Sequence, residues 1–355
     1  MQQEYGTLLR DYTKPNMELI GSILNKSNLN GGGRGRATTA SFGSLLSRND
    51  GNNANNNRPL SIIGDVINHG KQDLWNPTRS IHYHATLQKG EPTLEAQLGR
   101  VLMKSIVATN GIFDPKHFQQ AYIDFMMTPN SHNDTYASTC HRMFFANYVF
   151  KKLPPDQCPD NDQHNVDTID GLVLPTIVAL ATGCRTGDAT QVASASAACA
   201  AVTRRSQILE RVAGIWGTFV ATAVLEPNDA NVMAQLTTMA QPLIGRRPNL
   251  HSQDQLTACY LQQSLPPLID MVARYMPSSS QQKPTSIVWD ALLNNANIGG
   301  ENVHRGSILG AVLGARVGRS NLLPNQMMTG LYPHEQIAKE IDDFVQVVLY
   351  TDHQT

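Results

Sequence analysis

The chain has 355 residues, of which 41% are apolar, and a formal net charge of −1, so it is long enough to bury a sizeable core. The near-zero charge gives no electrostatic reason to expect nucleic acid or an anionic membrane surface as a partner. The opening MQQEYGTLLRDY lacks the apolar core of a signal peptide, and no stretch reaches the ~20 consecutive apolar residues of a membrane span. Five scattered cysteines without a CxxC motif favour reduced thiols, and we expect a cytoplasmic protein.

The N-terminal part contains a segment of biased composition from Gly31 to Arg58, GGGRGRATTASFGSLLSRNDGNNANNNR. Its few apolar side chains cannot offset the entropy cost of ordering the chain, which predicts a flexible insertion. After it, helical periodicity dominates, and the best strand candidate, TRSIHYHATL, is short. We therefore predict an all-α fold. Because the helices beside the loops are too short to own separate cores, we predict one compact domain over residues 1–355.

The predicted helices follow one another closely. LEAQLGRVLMKSIV, from Leu94 to Val107, places its apolar residues on one face. GLVLPTIVALATG is almost entirely apolar, and its internal Pro175 predicts a buried and kinked helix. The alanine-rich stretch from Ala189 to Leu225 predicts two helices with a break near Thr203–Ser206. HEQIAKEIDDFVQVVL predicts an amphipathic helix with these residues inward: Ile337, Ile341, Phe344, Val345 and Val348.

Glycines at four-residue spacing mark the segment SILGAVLGARVG and its approach. On a helix this spacing forms one face, from Gly306 through Gly310 and onward, without side chains. Each glycine costs a helix about 1 kcal/mol relative to alanine, so close packing should compensate. We predict that a neighbouring helix crosses here and buries Gly310.

A polar group precedes this helix in GGENVHRG. Asn302 suits the N-cap position, and Glu301 suits the positive end of the helix dipole. Capping alone explains these two residues. The alternative is a binding site at the helix start in which Glu301, Asn302 and His304 take part.

A second polar group, SHNDTY, stands before a predicted helix that carries His141. Ser131, Asn133 or Asp134 could cap that helix. The alternative is a polar cleft that includes His132, Asn133, Asp134 and His141 as ligand-binding residues. Both interpretations stay open at this point. The chain has no GxSxG motif, P-loop or dinucleotide fingerprint.

GGENVHRG with its small-residue helix resembles a motif of the ADP-ribosylglycohydrolase family. SHNDTYASTCHRMFFAN and TGLYPHEQIAKEIDDFV add a likeness to the branch that holds the J-type lens crystallins of jellyfish and selenoprotein J. The resemblance covers most of the chain from about Leu94 onward. It implies a single all-α domain of packed orthogonal helices, with a metal cleft between an N-terminal and a C-terminal motif and an ADP-ribose-like ligand.

The resemblance weakens at the residues that bind magnesium in the family. The family's GGDTDT corresponds here to GGENVH, so Glu301 replaces one aspartate and Val303 another. Its TDDT best matches GEPT, where only Glu91 is acidic. Asn30 stands where the family has an early acid, and TRRS at Thr203–Ser206 lacks the histidine of Thr-His-Ser. Glu91 and Glu301 are the candidate catalytic and metal residues, and since magnesium needs several oxygen ligands, we expect weak binding or none.

These departures favour a structural eye-lens protein of the J-type crystallin kind, derived from an ADP-ribosylglycohydrolase and without a required cofactor. Two alternatives remain. One is a metal-dependent hydrolase of ADP-ribosyl or related N-glycosidic bonds. The other is a binding protein that holds a nucleotide-like ligand without chemistry. Self-association is open under each of them.

Overall fold

The computed structural model describes residues 87–350 except 135, 162–165, 251–258, 277–286, 299 and 319–322, together with residues 66, 69, 71, 84 and 86. The predicted insertion at 31–58, Asn30 and most of TRSIHYHATL lie outside the described residues. Within the described ranges the chain is helical, and its only pairing of β type is an isolated bridge between Thr168 and Tyr260. The all-α prediction is confirmed.

The described residues form twelve α-helices. They are α1 Leu94–Ala108, α2 Pro115–Met127, α3 Thr139–Phe145, α4 Val173–Thr186, α5 Ala189–Ala201, α6 Gln207–Leu225, α7 Asp229–Ile244, α8 Leu261–Tyr275, α9 Ile287–Ile298, α10 Asn302–Val317, α11 Asn325–Thr329 and α12 His334–Tyr350. A π-helical turn, Ala146–Phe150, extends α3, and 3₁₀ turns form at Pro155–Gln157 and Ile169–Leu172.

The buried apolar side chains form two clusters. One joins the second half of the chain, from α6 to α10, around the fully buried Trp216. The other joins α1, α2, α3 and α12, with Phe118 and Phe144 among its members. Helices α4 and α5 contribute to both clusters, for example through the neighbouring residues Val178 and Ala179 of α4. These two helices therefore lie between the clusters and connect them.

The predicted break in the alanine-rich stretch is confirmed, because α5 ends at Ala201 and α6 begins at Gln207. The hydroxyl of Ser206 caps α6 by accepting a hydrogen bond from the N–H of Leu209 at 3.0 Å. The kink predicted at Pro175 is wrong. Pro175 lies in the first turn of α4, where a helix has no N–H partner to lose.

The predicted inward face of the last helix is only partly correct. Ile337, Phe344 and Val348 are buried, but Ile341 is 43% exposed and Val345 is 41% exposed. The three buried residues are spaced seven and then four positions apart along the helix and face α1 and α4. The two exposed residues lie on the adjacent stripe of the helix surface.

The glycine strip of α10 packs against α9, as the spacing predicts, but Gly310 is only half-buried. A Cβ on Gly310 would lie 3.7 Å from Leu292, an ordinary contact distance. A Cβ on Gly306 would lie 2.8 Å from the side-chain nitrogen of Asn295. The close approach of the two helices is therefore at Gly306, four residues before the predicted position.

Two described segments, Ile169–Thr186 and Gln207–Leu225, are long and apolar enough to cross a membrane by length and composition alone. The expectation that no stretch qualifies is therefore corrected. Buried residues make up 56% of the first window and 50% of the second, as for the core helices of a packed bundle.

Candidate functional site

Five polar side chains from separate parts of the chain meet where α1, α3, α4 and α6 begin and α5 ends. We call Glu95, Ser138, His141, Asp170 and Arg204 the polar cluster. All except Ser138 are buried, at 2–8% exposure. Buried charged groups require partners, and each of these finds one inside the cluster.

The cluster's strongest interaction is the ion pair between Asp170 and Arg204. The Nη2 group of Arg204 donates to Asp170 Oδ2 at 2.8 Å, and its Nη1 group donates to the Thr168 hydroxyl at 3.0 Å. Burial by itself would raise the pKa of Asp170, but the guanidinium outweighs burial and holds that pKa well below its usual range. Asp170 is therefore an ionised carboxylate that a protein cation neutralises.

Glu95 completes the cluster from the first turn of α1. The Ser138 hydroxyl lies 3.1 Å from Glu95 Oε1 and 3.2 Å from Asp170 Oδ2, so it can donate to either carboxylate. His141 Nε2 lies 3.8 Å from Glu95, and its Nδ1 lies 2.8 Å from the hydroxyl of Tyr122. Burial lowers the pKa of His141 to about 4, so the imidazole is neutral at pH 7.

Asp134 lies 40 residues after the start of α1 in the chain but is hydrogen-bonded to it. Its fully buried carboxylate accepts from the Leu94 N–H at 2.9 Å and from the Tyr136 N–H at 3.1 Å, and it pairs with His84 Nδ1 at 2.7 Å. The prediction that Asp134 caps the following helix is wrong, because that helix begins at Thr139. Asp134 instead holds the first turn of α1, which carries Glu95, and its part in ligand binding stays a prediction.

Asn133 and Glu91 form a separate contact beside Asp134. The Asn133 amide donates to Glu91 Oε2 at 3.2 Å and to the Thr86 carbonyl at 2.5 Å. The backbone N–H of Gln88 also donates to Glu91 Oε2, at 2.8 Å. Glu91 therefore closes a turn just before α1.

His132 lies apart from the polar cluster in an aromatic environment. Its ring is 4.1 Å from that of His69 and 5.9 Å from that of Phe125, and neither of its nitrogens bonds a described residue. Burial lowers its pKa to about 3. His132 is therefore a neutral imidazole that packs against two rings, and its part in ligand binding stays a prediction.

The start of α10 carries the last part of the site. His304 Nδ1 pairs with Glu301 Oε1 at 2.5 Å. Burial would lower the pKa of His304, but Glu301, Asp170 and Glu95 together raise it to about 9. His304 is therefore a cation at pH 7 that acts on both the Glu301 and the Asp170 carboxylates.

The predicted cap at Asn302 is wrong. Asn302 is the first residue of α10, and the N-cap is Glu301, whose side chain makes no capping bond. The backbone carbonyl of Asn302 instead accepts a hydrogen bond from the side-chain amide of the buried Asn295, at 2.7 Å. Asn295 also accepts from the fully buried Arg305 at 2.6 Å, so the α9–α10 contact is polar at this end.

The open space at the polar cluster is small. A cavity of about 20 Å³ adjoins Glu95, Asp170 and Arg204, which is room for about one water molecule. A cleft of about 200 Å³ lies farther along α1, between Arg100, Thr176 and Ser307. Ligand pockets commonly measure about 300–1,000 Å³, so neither space matches an ADP-ribose-sized molecule.

Glu91 and Glu301 do not converge on one point as magnesium ligands would. Octahedral magnesium needs several oxygen atoms around one point. Glu91 bonds Asn133, and Glu301 bonds the charged His304, so the two predicted ligands serve different contacts. In the described part of the chain no three His, Cys, Asp or Glu side chains are grouped to hold a metal. The residues that the structure describes therefore do not fit a magnesium site.

The sequence patterns missed the residues at the centre of the site. Glu95 reads as one polar residue of an amphipathic helix, and Asp170 as a residue at a helix start. Arg204 carried a usable signal, since it belongs to the TRRS stretch that corresponds to the family's Thr-His-Ser. Of the predicted residues, His141 lies 3.8 Å from Glu95 and His304 acts on Asp170 by its charge, whereas Glu301 is linked to this centre through its pair with His304.

Fold and site together define an all-α protein with a neutralised polar cluster at converging helix ends. Residues 56–353 match the family model "ADP-ribosylglycohydrolase". Since this match spans most of the sequence, the chain belongs to the ADP-ribosylglycohydrolase family.

A solved structure described as an "ADP-ribosylglycohydrolase-related protein complex" is similar to this chain. The TM-score is 0.52 at 12% identity, over 81% of this chain and 94% of that one. At this identity the likeness concerns the fold alone. No curated protein matches the sequence.

Proposed function

We propose that this protein is a member of the ADP-ribosylglycohydrolase family without metal-assisted hydrolysis, and that its function is structural, of the lens-crystallin kind. The observation that carries this proposal is the buried ion pair between Asp170 and Arg204. The Arg204 guanidinium pairs with the Asp170 carboxylate, which would otherwise be available to a metal ion where the helix ends meet.

Two protein cations compete with a metal ion for the carboxylates at this point. Two unit positive charges 4 Å apart repel by about 4 kcal/mol at an effective dielectric constant of 20, and a divalent ion doubles that value. Arg204 and the imidazolium of His304 both act on Asp170. A magnesium ion beside Asp170 would therefore meet two protein cations.

The crystallin form of the proposal rests on the sequence resemblance of SHNDTYASTCHRMFFAN and TGLYPHEQIAKEIDDFV. A crystallin acts through concentration, solubility and lasting stability, and needs no open site. The closed polar cluster, with room for about one water, supports such a role.

The second candidate is a metal-dependent hydrolase, which family membership and the half-buried Glu301 at the start of α10 support. An assay separates the two. Wild type and Glu301→Gln are incubated with ADP-ribosylated protein and with magnesium or manganese, and released ADP-ribose is measured.

We expect no turnover by either protein in that assay. Wild-type turnover that a chelator and Glu301→Gln both abolish would contradict the structural proposal and establish the hydrolase. Thermal melting of both proteins serves as the control for folding.

A further inference from the structure

A cavity of about 490 Å³ lies at the opposite end of α4 from the polar cluster. Its wall comes from the C-terminal turn of α4, the stretch of α5 from Gln191 to Ala198, and the loop between α1 and α2 with the first residue of α2. The fourteen residues of α4 separate it from Asp170 by about 20 Å, at about 1.5 Å per residue. Its volume falls within the range of small-molecule sites, unlike the spaces at the cluster.

One cation faces this cavity. The Arg185 guanidinium makes no hydrogen bond or ion pair with any residue that the structure describes, although its side chain is half-buried. Arg185 stands in the last turn of α4, where the helix dipole favours a positive charge. The dipole accounts for the presence of a cation there but not for a donor set that faces an open cavity.

The loop between α1 and α2 leaves space for this guanidinium. A Cβ on Gly111 would lie 3.0 Å from Arg185 Nη1, and the φ of Gly111 is +83°, which favours glycine. Asp188, the nearest acid along the chain, is engaged with the N–H groups of Thr190 and Gln191 at the start of α5. Its carboxylate therefore does not neutralise Arg185.

The remaining wall combines apolar surface with hydroxyl groups. Ile112, which is 55% exposed, lines the cavity together with Phe113 and Ala198. Thr182 and Ser194 also line the cavity, and their hydroxyls make no hydrogen bond within the described part of the chain. An unpaired guanidinium with free hydroxyls next to apolar surface complements an anionic head group on an apolar body.

We propose that the Arg185 cavity binds a small amphipathic organic anion, whose acid group pairs with the guanidinium and whose apolar part lies against Phe113 and Ala198. The site is independent of the polar cluster and of the proposed structural function. A carboxylate can use two of the guanidinium N–H groups at once, and a phosphate or sulfonate can do the same.

The probe is 8-anilinonaphthalene-1-sulfonate, titrated into the full-length protein and followed by fluorescence. Arg185→Gln is compared with Arg211→Gln, which removes the same charge from an exposed position on α6. The uncharged N-phenyl-1-naphthylamine is titrated in parallel. Dodecanoate and naphthyl phosphate then compete for the site, to separate carboxylate from phosphate head groups.

We expect saturable binding of one probe, weakened at least tenfold by Arg185→Gln and unchanged by Arg211→Gln, with little effect on the uncharged analogue. Ala198→Trp should fill the cavity and reduce binding of both probes, with circular dichroism as the control for folding. Equal affinity of wild type and Arg185→Gln, or the absence of saturable binding, would overturn the proposal.

Discussion

Replacing either member of the buried ion pair should strongly destabilise the protein. Asp170→Asn leaves the Arg204 guanidinium buried with hydrogen bonds but without its counter-charge. Arg204→Met leaves the Asp170 carboxylate beside only the hydroxyls of Ser138 and Thr168 and the His304 imidazolium. Because removing one partner of a buried pair typically costs about 3–5 kcal/mol, we expect each variant to lose that much free energy of unfolding at pH 7.

The double variant should lose less than the sum of the two single variants, because it no longer buries an unpaired charge. We expect a coupling energy of about 2–3 kcal/mol between Asp170 and Arg204. Urea unfolding followed by circular dichroism measures all four proteins. Lys339→Met is the control, since Lys339 and Asp343 are 74% and 47% exposed and such pairs contribute at most about 1 kcal/mol.

The acid response of Arg204→Met is a further check on the reasoning. Without the guanidinium, burial should raise the pKa of Asp170, so the variant should recover part of its lost stability when the pH falls from 7 to 5. Two results would refute the account of a buried and mutually dependent pair. One is a loss of less than about 1 kcal/mol of free energy of unfolding in the single variants, and the other is a loss in the double variant that equals the sum of the single losses.

Three other predictions concern separate parts of the molecule. Gly306→Ala should lose about 1–3 kcal/mol because its methyl group displaces a buried amide, whereas Gly310→Ala should be neutral or gain up to about 1 kcal/mol; equal urea midpoints would contradict the packing at α9. His304 has a pKa of about 9, above its ordinary 6.5, so the charged ring stabilises the folded state fully below pH 6.5 and this stabilisation is lost as the pH rises through 9. His304→Gln should therefore flatten the decline in melting temperature over that range, and an unchanged slope would refute this. His132 has a pKa of about 3, below its ordinary 6.5, so the stability that the neutral ring contributes is lost as the pH falls below 6.5. Between pH 8 and pH 5, His132→Phe should therefore lose about 1–2 kcal/mol less free energy of unfolding than the wild type does. Equal acid sensitivity in urea unfolding would count against it.

Helices could be predicted from the sequence because their signals are local. The apolar spacing of α1 and the break before Ser206 depend on residues within a few turns of one another. The faces of α10 and α12 were harder, since periodicity gives the stripe that can be buried but not the neighbour that buries it. Gly306 rather than Gly310 makes the close contact because Asn295 of another helix reaches that point.

The centre of the site could not be predicted in the same way. Glu95, Asp170 and Arg204 come from three separate segments, and only the packing of the helices brings them together. Asp134 shows the same limit, because its carboxylate caps α1, forty residues earlier in the chain, rather than the helix that follows it. The partners of polar residues near a helix start are set by tertiary structure, which local sequence patterns do not give.

The most direct test of the central claim is a magnesium titration of the wild-type protein by isothermal calorimetry at pH 7. The acids of the site are committed to protein partners, Asp170 to Arg204 and Glu301 to His304, so we predict no saturable heat at millimolar magnesium. Saturable binding that disappears in Glu301→Gln would contradict the claim and show that the site still holds the metal on which the family's hydrolysis depends.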